Sequence, residues 1–541
     1  MIEGCCHLQF KKGNLKVCLV YPGEERVGIS SLAIHRVYSL INSIEGVSCD
    51  LYFSDSSQSL FLGSPLKDFD VVAISVTYED HIFTISEILK KAGIPPLRTL
   101  REEEGGDFPI IFGGGIGLYY NPVPFMPIFD AIYLGEAEGR IEKLFEKFRE
   151  KGFSAFYDFD NVIVSKDYDF LYNEENRLTE IVGEKRKIFR SPYFPEYPSH
   201  SCFLTEDTAF KDMFLIELNR GCIEKCRFCV ATYMGLPYRE KQIEIVENEI
   251  ALAAKYGERV GLIGAGVTDY SKMEDLYEIL KKYDMKASFS SLKASSPSPY
   301  VLEIVKESGQ KTVTIAPETG NEKLRYAINK KVPDEKYFSF TEELFKAGAE
   351  NLKLYFLIGL PTETQEDVES IVKMTKQFYS LVLPFWKERG KAGEIHVSVN
   401  PVIPKPFTPL QWFGMEKKSS IEKKIRYLQK ELRKIPHTRL THENVRSAIL
   451  QAIISRADTI VGEAAVISAM KKTPFRKVLK EKNVNFEELY TREREKDELF
   501  PWEIVESGIR RNYLWKEYQM IYEGKSSPSC FPGCKMCGLC D

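Results

Sequence analysis

The chain has 541 residues, of which 43% are hydrophobic and 28% are charged, and its formal net charge is -4. This length predicts two or three domains, and the near-neutral charge excludes an overall attraction to nucleic acid or to an anionic membrane. No apolar stretch is long enough to span a bilayer, and Met1–Phe10 has no basic region followed by an apolar run. We therefore expect a cytoplasmic protein with no membrane partner.

The first part of the chain, 1–152, alternates short apolar runs with helix-like stretches. We predict strands and helices at Lys16–Tyr21, Leu32–Ile44, Val71–Val76, His81–Ala92, Ile110–Phe112, Ala131–Leu134 and Glu138–Glu150. This alternation predicts an α/β domain with a doubly wound, Rossmann-like parallel sheet. Residues 153–201 are rich in aromatic and charged side chains and in proline, and we interpret them as a connecting segment.

Strands and helices alternate again over 202–416. The predicted strands are Phe214–Leu218, Val260–Ile263, Ala287–Phe289, Thr312–Ile315, Leu352–Ile358 and Ile395–Val399. Six βα units in a row fit a partial parallel (β/α)6 barrel better than an open doubly wound sheet, which is the alternative. The last part, 417–541, is highly charged and predicted to be mainly helical, and it ends in a Cys-rich tail.

Three cysteines, Cys222, Cys226 and Cys229, follow the first predicted barrel strand directly. The carboxyl ends of parallel strands are where α/β proteins bind ligands. Three thiolates can hold three corners of an iron–sulfur cubane, whereas a closed structural site needs four ligands. The spacing therefore predicts a catalytic cluster with one open iron, and it leaves a zinc site with a distant fourth ligand as the alternative.

The C-x3-C-x2-C spacing, with Phe228 just before the last cysteine, resembles the radical S-adenosylmethionine superfamily. The resemblance implies that S-adenosylmethionine binds the open iron of a 4Fe–4S cluster. Electron transfer then cleaves the sulfonium and gives a 5′-deoxyadenosyl radical. It also implies an electron donor such as flavodoxin or ferredoxin as a partner.

Residues at successive strand ends suit a nucleoside ligand that carries both a positive and a negative charge. Glycines allow close approach of the backbone, and free amides can meet a carboxylate. The resemblance implies that the turn of Gly264 and Gly266 supports the methionine amino group. It also implies that Glu318 binds a ribose hydroxyl or an amino group and that Gly359 approaches the adenine. The candidate cofactor-binding residues are Phe228, Gly264, Gly266, Ser290, Glu318 and Gly359.

The N-terminal part resembles the cobalamin-binding-type, Rossmann-like domain of an uncharacterised group of radical enzymes that also carry a Cys-rich tail. Many such domains supply a cobalt ligand from an Asp-x-His-x-x-Gly motif, which this chain lacks. His35 and His81 lie in predicted helices or helix starts, outside such a context. Cobalamin therefore binds without a protein ligand to cobalt, or the domain keeps the fold without the cofactor.

Four further cysteines stand close together in the tail. Four thiolates complete either a second 4Fe–4S cluster or a tetrahedral zinc site, and the sequence leaves both open. The candidate ligands are Cys530, Cys534, Cys537 and Cys540.

The reaction on substrate stays open at this stage. With cobalamin, methylation of an unreactive carbon is expected, as in a cobalamin-dependent methyltransferase. Without it, methylthio or sulfur transfer with the second cluster is the alternative. A non-catalytic iron–sulfur sensor or RNA-binding protein is the alternative from a different class. The sequence does not indicate whether the substrate is a small molecule, a protein or RNA.

Overall fold

The computed structural model describes residues 3–4, 13–205, 208, 213–295, 298–531 and 533–540. All of Met1–Phe10 except residues 3 and 4 therefore lies outside the described part. Contacts divide the chain into two compact units. The first unit comprises Met1–Asp212, Leu450–Tyr490 and Glu495–Gly508, and the second comprises Met213–Ile449, Thr491–Arg494 and Ile509–Asp541.

A six-stranded sheet forms the centre of the first unit. In chain order its strands are β1 Leu15–Tyr21, β2 Val47–Phe53, β3 Val71–Ser75, β4 Ile110–Gly114, β5 Ala131–Tyr133 and β6 Val162–Val164. The strand order is β2-β1-β3-β4-β5-β6, and only β6 is antiparallel to its neighbour. Nearly all residues of β1 and β2 are buried, which requires that both faces of the sheet are covered. The predicted doubly wound sheet is confirmed.

Helices of the first unit follow the strands along the chain. They are Glu25–Gly28, Leu32–Asn42, His81–Lys91, Arg98–Glu104, Ile116–Tyr120, Ile141–Lys151, Thr459–Lys471 and Phe475–Glu481. Thr459–Lys471 packs against His81–Lys91. It also packs so closely on the backbone carbonyl of Pro124 that Gly462 has no room for a Cβ atom.

The segment 153–201, predicted as a connection, contributes to the first unit. It supplies β6, because the apolar run Val162–Val164 is wholly buried and pairs with β5. It also forms a hairpin of Asp169–Tyr172 with Leu178–Val182. Arg186–Lys187 pairs with Val505–Glu506, so part of the predicted C-terminal region is grouped with the first unit.

Seven parallel strands run through the second unit. They are β7 Phe214–Arg220, β8 Arg259–Gly264, β9 Lys286–Phe289, β10 Thr312–Glu318, β11 Asn351–Ile358, β12 Ile395–Pro401 and β13 Thr438–His442. Strands β7 to β9 form one ladder and β10 to β13 another. Leu292 N donates to Thr314 O at 2.9 Å between the two ladders. All six predicted strands of the partial barrel are present, and β13 is a seventh that was not predicted.

Helices connect these strands, which gives the βα repeat of a parallel barrel. They are Val230–Gly235, Ile243–Ala253, Met273–Lys282, Pro299–Glu307, Glu322–Ala327, Asp334–Lys346, Gln365–Glu388 and Lys418–Leu432. Val445–Ser455, Phe486–Thr491 and Arg511–Tyr522 complete the predicted helical C-terminal region. In the described part of the chain, no helix is long and apolar enough to cross a membrane.

Candidate cofactor site

The loop of the first three cysteines begins directly after β7. Gly221 starts it with φ +79°, and a Cβ atom there would lie 2.6 Å from Gly235 O, so the turn requires glycine. Cys222 and Cys226 are buried and Cys229 is half-buried, and all three are free thiols. The structure thus places the three predicted ligands together at the carboxyl end of the first barrel strand.

The chemistry of this donor set fits an iron–sulfur cluster. Burial raises the pKa of the Cys226 and Cys229 thiols, and a metal favours the thiolate form. No three His, Cys, Asp or Glu side chains among the described residues stand close enough to share one ion. Three thiolates can hold three corners of a cubane and leave one iron open.

Lysine side chains surround the three thiols. Lys293 Nζ lies 3.2 Å from Cys222 Sγ and forms an ion pair with Asp269. Lys330 Nζ donates to Glu318 Oε1 at 2.8 Å, and its charge acts on Cys226. A nearby ammonium favours the thiolate over the thiol. Sequence reasoning did not propose these lysines as site residues; the only signal was the position of Lys293 just after β9.

The predicted residues after β7 and β8 lie in one hydrogen-bonded turn. Asn219, on β7, donates from Nδ2 to Gly266 O at 2.8 Å, and its side chain also contacts Gly264. A Cβ atom on Gly266 would lie 2.6 Å from Asp269 Oδ2 and 3.0 Å from Lys293 Nζ. Phe228 is half-buried in the cysteine loop. The turn therefore lies beside Lys293, which contacts Cys222.

The other predicted residues follow β9, β10 and β11. Ser290 is exposed directly after β9. Glu318 is the last residue of β10, with φ +66°. Gly359 follows β11 and donates from its N–H to both carboxylate oxygens of Glu363, at 3.0 and 3.1 Å. The structure shows where these residues lie, and their contacts with a cofactor stay a prediction.

The C-terminal cysteines pack against the first cysteine loop. Cys530 N donates to Ile223 O at 2.7 Å, and Lys225 Nζ donates to Cys534 Sγ at 3.6 Å. Cys534 and Cys537 are buried, Cys530 is half-buried and Cys540 is exposed, and none of the four is in a disulfide. Burial opposes ionisation of Cys534, but backbone N–H groups and Lys225 outweigh it and lower the pKa. Sequence reasoning did not bring these two cysteine groups together.

A buried arginine ties the tail to the loop. Arg227 is fully buried, and its Nε donates to Glu517 Oε2 at 2.9 Å. Its Nη2 donates to Ser527 Oγ at 3.0 Å, and Ser527 Oγ in turn donates to Glu517. Its Nη1 donates to the carbonyls of Ala327 and Lys525, each at 2.6 Å. Helix Arg511–Tyr522 is thereby fixed beside Cys226 and Cys229.

His35 and His81 of the first unit are engaged in its own structure. His35 Nε2 lies 2.5 Å from Ile29 O, and its Nδ1 accepts from Cys202 N at 2.8 Å. His81 Nδ1 accepts a long bond of 3.4 Å from Thr77 N. Both rings are buried. Both nitrogens of His35 are thus used, so it is unsuited as a cobalt ligand, and cobalamin binding is not confirmed.

A proline-rich loop follows β12. Gln411 in this loop is buried, and its Oε1 accepts from Phe407 N at 3.1 Å. Its carboxamide therefore holds the loop together.

A parallel partial barrel whose first strand leads into three clustered, free thiols defines an iron–sulfur enzyme of the S-adenosylmethionine-cleaving class. The sequence profile described as "Radical SAM proteins, N-terminal" matches residues 33–156, and the one described as "Radical SAM superfamily" matches residues 216–375. An uncharacterised protein of Methanocaldococcus jannaschii is 30% identical over 466 residues, which is 84% of this chain and 94% of that protein. The chain belongs to the radical SAM superfamily.

Weaker similarities extend to proteins of known activity. The tRNA-2-methylthio-N(6)-dimethylallyladenosine synthase of Petrotoga mobilis is 24% identical over 306 residues, 52% of this chain and 69% of that protein. The crystal structure of Streptococcus suis SuiB bound to S-adenosylmethionine shows 15% identity over 44% of this chain and 51% of that chain. Its TM-score of 0.29 is too low to bear on the fold.

Membership in the superfamily makes the chain a radical SAM enzyme, with a 4Fe–4S cluster and S-adenosylmethionine as its cofactors. This sets aside the alternative of a non-catalytic sensor and the alternative of a zinc ion at the first three cysteines.

Proposed function

We propose that Cys222, Cys226 and Cys229 hold the 4Fe–4S cluster and that S-adenosylmethionine binds over the ends of β8 to β11. The observation that carries this proposal is the cluster of three free thiols on the loop after β7. When bound, the cluster supplies the electron that cleaves S-adenosylmethionine to a 5′-deoxyadenosyl radical, which removes a hydrogen atom from substrate. A one-electron donor of the flavodoxin or ferredoxin type is the expected partner.

The chain's own residues bind and orient these groups. Lys293 holds Asp269 and presents its ammonium to Cys222, where a positive charge stabilises a thiolate. The turn of Gly264 and Gly266 exposes backbone where an amino acid can approach closely. Glu318 and Gly359 lie at the next strand ends and are proposed to contact the ribose and adenine.

The test uses anaerobic protein loaded with iron and sulfide, then given S-adenosylmethionine and dithionite. We expect the native chain to release 5′-deoxyadenosine and the Cys226→Ala variant to fall to the background rate. Cys18→Ala is the matched control, because Cys18 is an equally buried thiol in β1, outside the site. Equal 5′-deoxyadenosine release by native and Cys226→Ala protein would refute the ligand assignment.

A second candidate function is transfer of sulfur or a methylthio group to an RNA base. Two observations favour it over cobalamin-dependent methylation: the four-thiol tail bonded to Ile223, and the relatives named as tRNA methylthio synthases. The test incubates the loaded enzyme with undermodified tRNA and S-adenosylmethionine and identifies modified nucleosides by mass spectrometry. A nucleoside that gains sulfur supports this candidate. Gain of a methyl group without sulfur, with corrinoid in the protein, supports methylation instead.

A further inference from the structure

A buried lysine lies between the two groups of cysteines. Lys225 is 0% exposed. Its ammonium lies 3.6 Å from Cys534 Sγ and 5.9 Å from the centroid of the Tyr513 ring. Among the described residues no carboxylate lies within ion-pair distance of Lys225. An ammonium buried without a counter-charge is costly, so this position calls for an anion on the side of Cys534.

The backbone of Lys225 is held in place independently of its side chain. Lys225 has φ +56°, a conformation that costs a non-glycine residue free energy and persists where neighbours enforce it. Its carbonyl accepts from Asn329 Nδ2 at 3.0 Å and from Tyr233 Oη at 3.3 Å. The protein thus fixes the residue so that its ammonium faces the tail.

Hydrogen bonds hold the C-terminal tail in place near the ammonium of Lys225. Cys530 N donates to Ile223 O at 2.7 Å, and Arg510 N donates to Cys537 O at 2.9 Å. Lys331 Nζ donates to Ser529 Oγ at 2.8 Å. Cys534 and Cys537 are each 2% exposed. The tail backbone is therefore held in place here, and the Cys534 thiol lies against the ammonium of Lys225.

The positive charge of Lys225 determines which kind of centre fits beside it. Four thiolates around a divalent ion, or around a 4Fe–4S core of charge +2, carry a net charge of about −2. Such a centre provides an anion for the ammonium of Lys225, beside which the described residues place no carboxylate. Four protonated thiols are neutral and therefore do not provide a counter-ion for Lys225.

We propose that Cys530, Cys534, Cys537 and Cys540 hold a second, anionic metal–thiolate centre, and that Lys225 is its buried counter-cation. Because Lys225 directly precedes Cys226, one residue joins the second centre to the loop of the first. The proposal depends on the proposed first site only in that Lys225 is next to Cys226 in the sequence.

The first experiment isolates the tail by using a chain in which Cys222, Cys226 and Cys229 are all alanine. It is loaded anaerobically with iron and sulfide, or separately with zinc, and its metal and sulfide contents are measured. We expect this chain to retain one centre, which the further changes Cys534→Ser and Cys537→Ser abolish. Iron with sulfide identifies a cluster and zinc alone identifies a zinc site. Equal metal content with and without the two serines overturns the proposal.

The second experiment tests Lys225 in the same background. We expect Lys225→Met to release the metal to a chelator about tenfold faster, the effect of about 1.4 kcal/mol, and Lys225→Arg to retain it nearly as well as the parent. Lys331→Met is the matched control, because this lysine contacts the tail without touching a thiol. A release rate for Lys225→Met equal to that of the parent or of Lys331→Met overturns the counter-cation role.

A third measurement needs no substitution. The native chain is alkylated with iodoacetamide before and after loading, and protected cysteines are mapped by mass spectrometry. We expect loading to protect the tail cysteines, and their full alkylation overturns the second centre even if a variant fails to fold. The first proposal is judged separately, by 5′-deoxyadenosine release, so failure of one does not imply failure of the other.

Discussion

The two parallel sheets present their strand ends in different ways. At the first edge, defined here as the carboxyl ends of β1 to β5, polar side chains hold the backbone of their own unit. His35 contacts Ile29 O and Cys202 N, and Asn121 donates to two carbonyls of residues 455 and 457. At the second edge, the carboxyl ends of β7 to β11, side chains meet other side chains, such as Lys293 and Cys222.

The comparison shows that a parallel sheet offers a place where a ligand can bind, but that the side chains at its edge determine which ligand fits. Strands in both units are parallel and largely buried, yet among the described residues it is the second edge that places an ammonium, that of Lys293, against a thiol. A fold shared with cofactor-binding proteins is weak grounds for assigning a cofactor. The following predictions test the difference between the edges, from the largest expected effect to the smallest.

Arg227→Met should destabilise the second unit most. It leaves Glu517 buried and without its guanidinium partner, a change that costs about 3–5 kcal/mol in buried ion pairs. Urea unfolding of the metal-free chain measures the loss. The control is Arg426→Met, whose side chain is 67% exposed and should change stability by less than about 0.5 kcal/mol. Equal unfolding midpoints for the two variants would contradict the role of Arg227.

Acid should weaken the first edge. Burial lowers the pKa of His35 and of His81 to about 4, below the value of about 6.5 in the unfolded chain. The unfolded chain therefore takes up protons first as the pH falls below 6.5. Stability present at neutral pH is lost towards pH 4, by roughly 3 kcal/mol for each histidine.

Hydrogen exchange of β1 and β2, corrected for the intrinsic rate at each pH, measures this loss. His35→Gln should be less stable than the native chain at pH 7 but should show a shallower decline towards pH 4. If the native chain and His35→Gln decline in parallel, His35 does not carry the acid sensitivity.

Asn121→Ala should weaken the first edge without affecting the cofactor. It removes donors to two buried carbonyls, which costs about 1–3 kcal/mol. We expect a lower unfolding midpoint but the same iron and sulfide content after loading. Gln365→Ala, at an exposed amide, is the control for stability. Loss of iron in Asn121→Ala would show that the first edge supports the cofactor.

Lys293→Met tests the properties of the cluster, on which we expect a modest effect. Its ammonium contacts Cys222 and favours the more negative, reduced form of a bound cluster. We expect a reduction potential more negative by on the order of 60 mV, equivalent to about 1.4 kcal/mol for one electron. Potentiometric titration followed by electron paramagnetic resonance measures it. A less negative potential would contradict this account.

Much of the fold could be predicted because apolar runs of strand length alternate with amphipathic helices. All six strands of the partial barrel lie where predicted. Strand β2 was missed because Ser48 and Asp50 interrupt its apolar pattern. Asp50 is nevertheless fully buried, and its carboxylate accepts from Leu51 N and Leu62 N. Strand β13 was missed because Thr438–His442 is largely polar and only partly buried or exposed.

The candidate site was predictable only in part. The spacing of Cys222, Cys226 and Cys229 is local, so the sequence shows it directly. The approach of Lys225 to Cys534 joins residues 309 positions apart, and a single sequence carries no signal for such a pairing. The neighbours of the thiols depend on how distant segments pack, which periodicity does not reveal.

The hydrogen bond between Cys530 and Ile223 has a consequence for the order of assembly in the cell. Domains form largely from the N-terminus onwards during synthesis, but the loop of Cys222 gains its contacts with the tail only after residue 530 has left the ribosome. A cluster inserted earlier would enter a loop without Glu517, Ser527 or the tail around it. Stable insertion of the cluster should therefore wait until the tail has been synthesised and has packed against the loop.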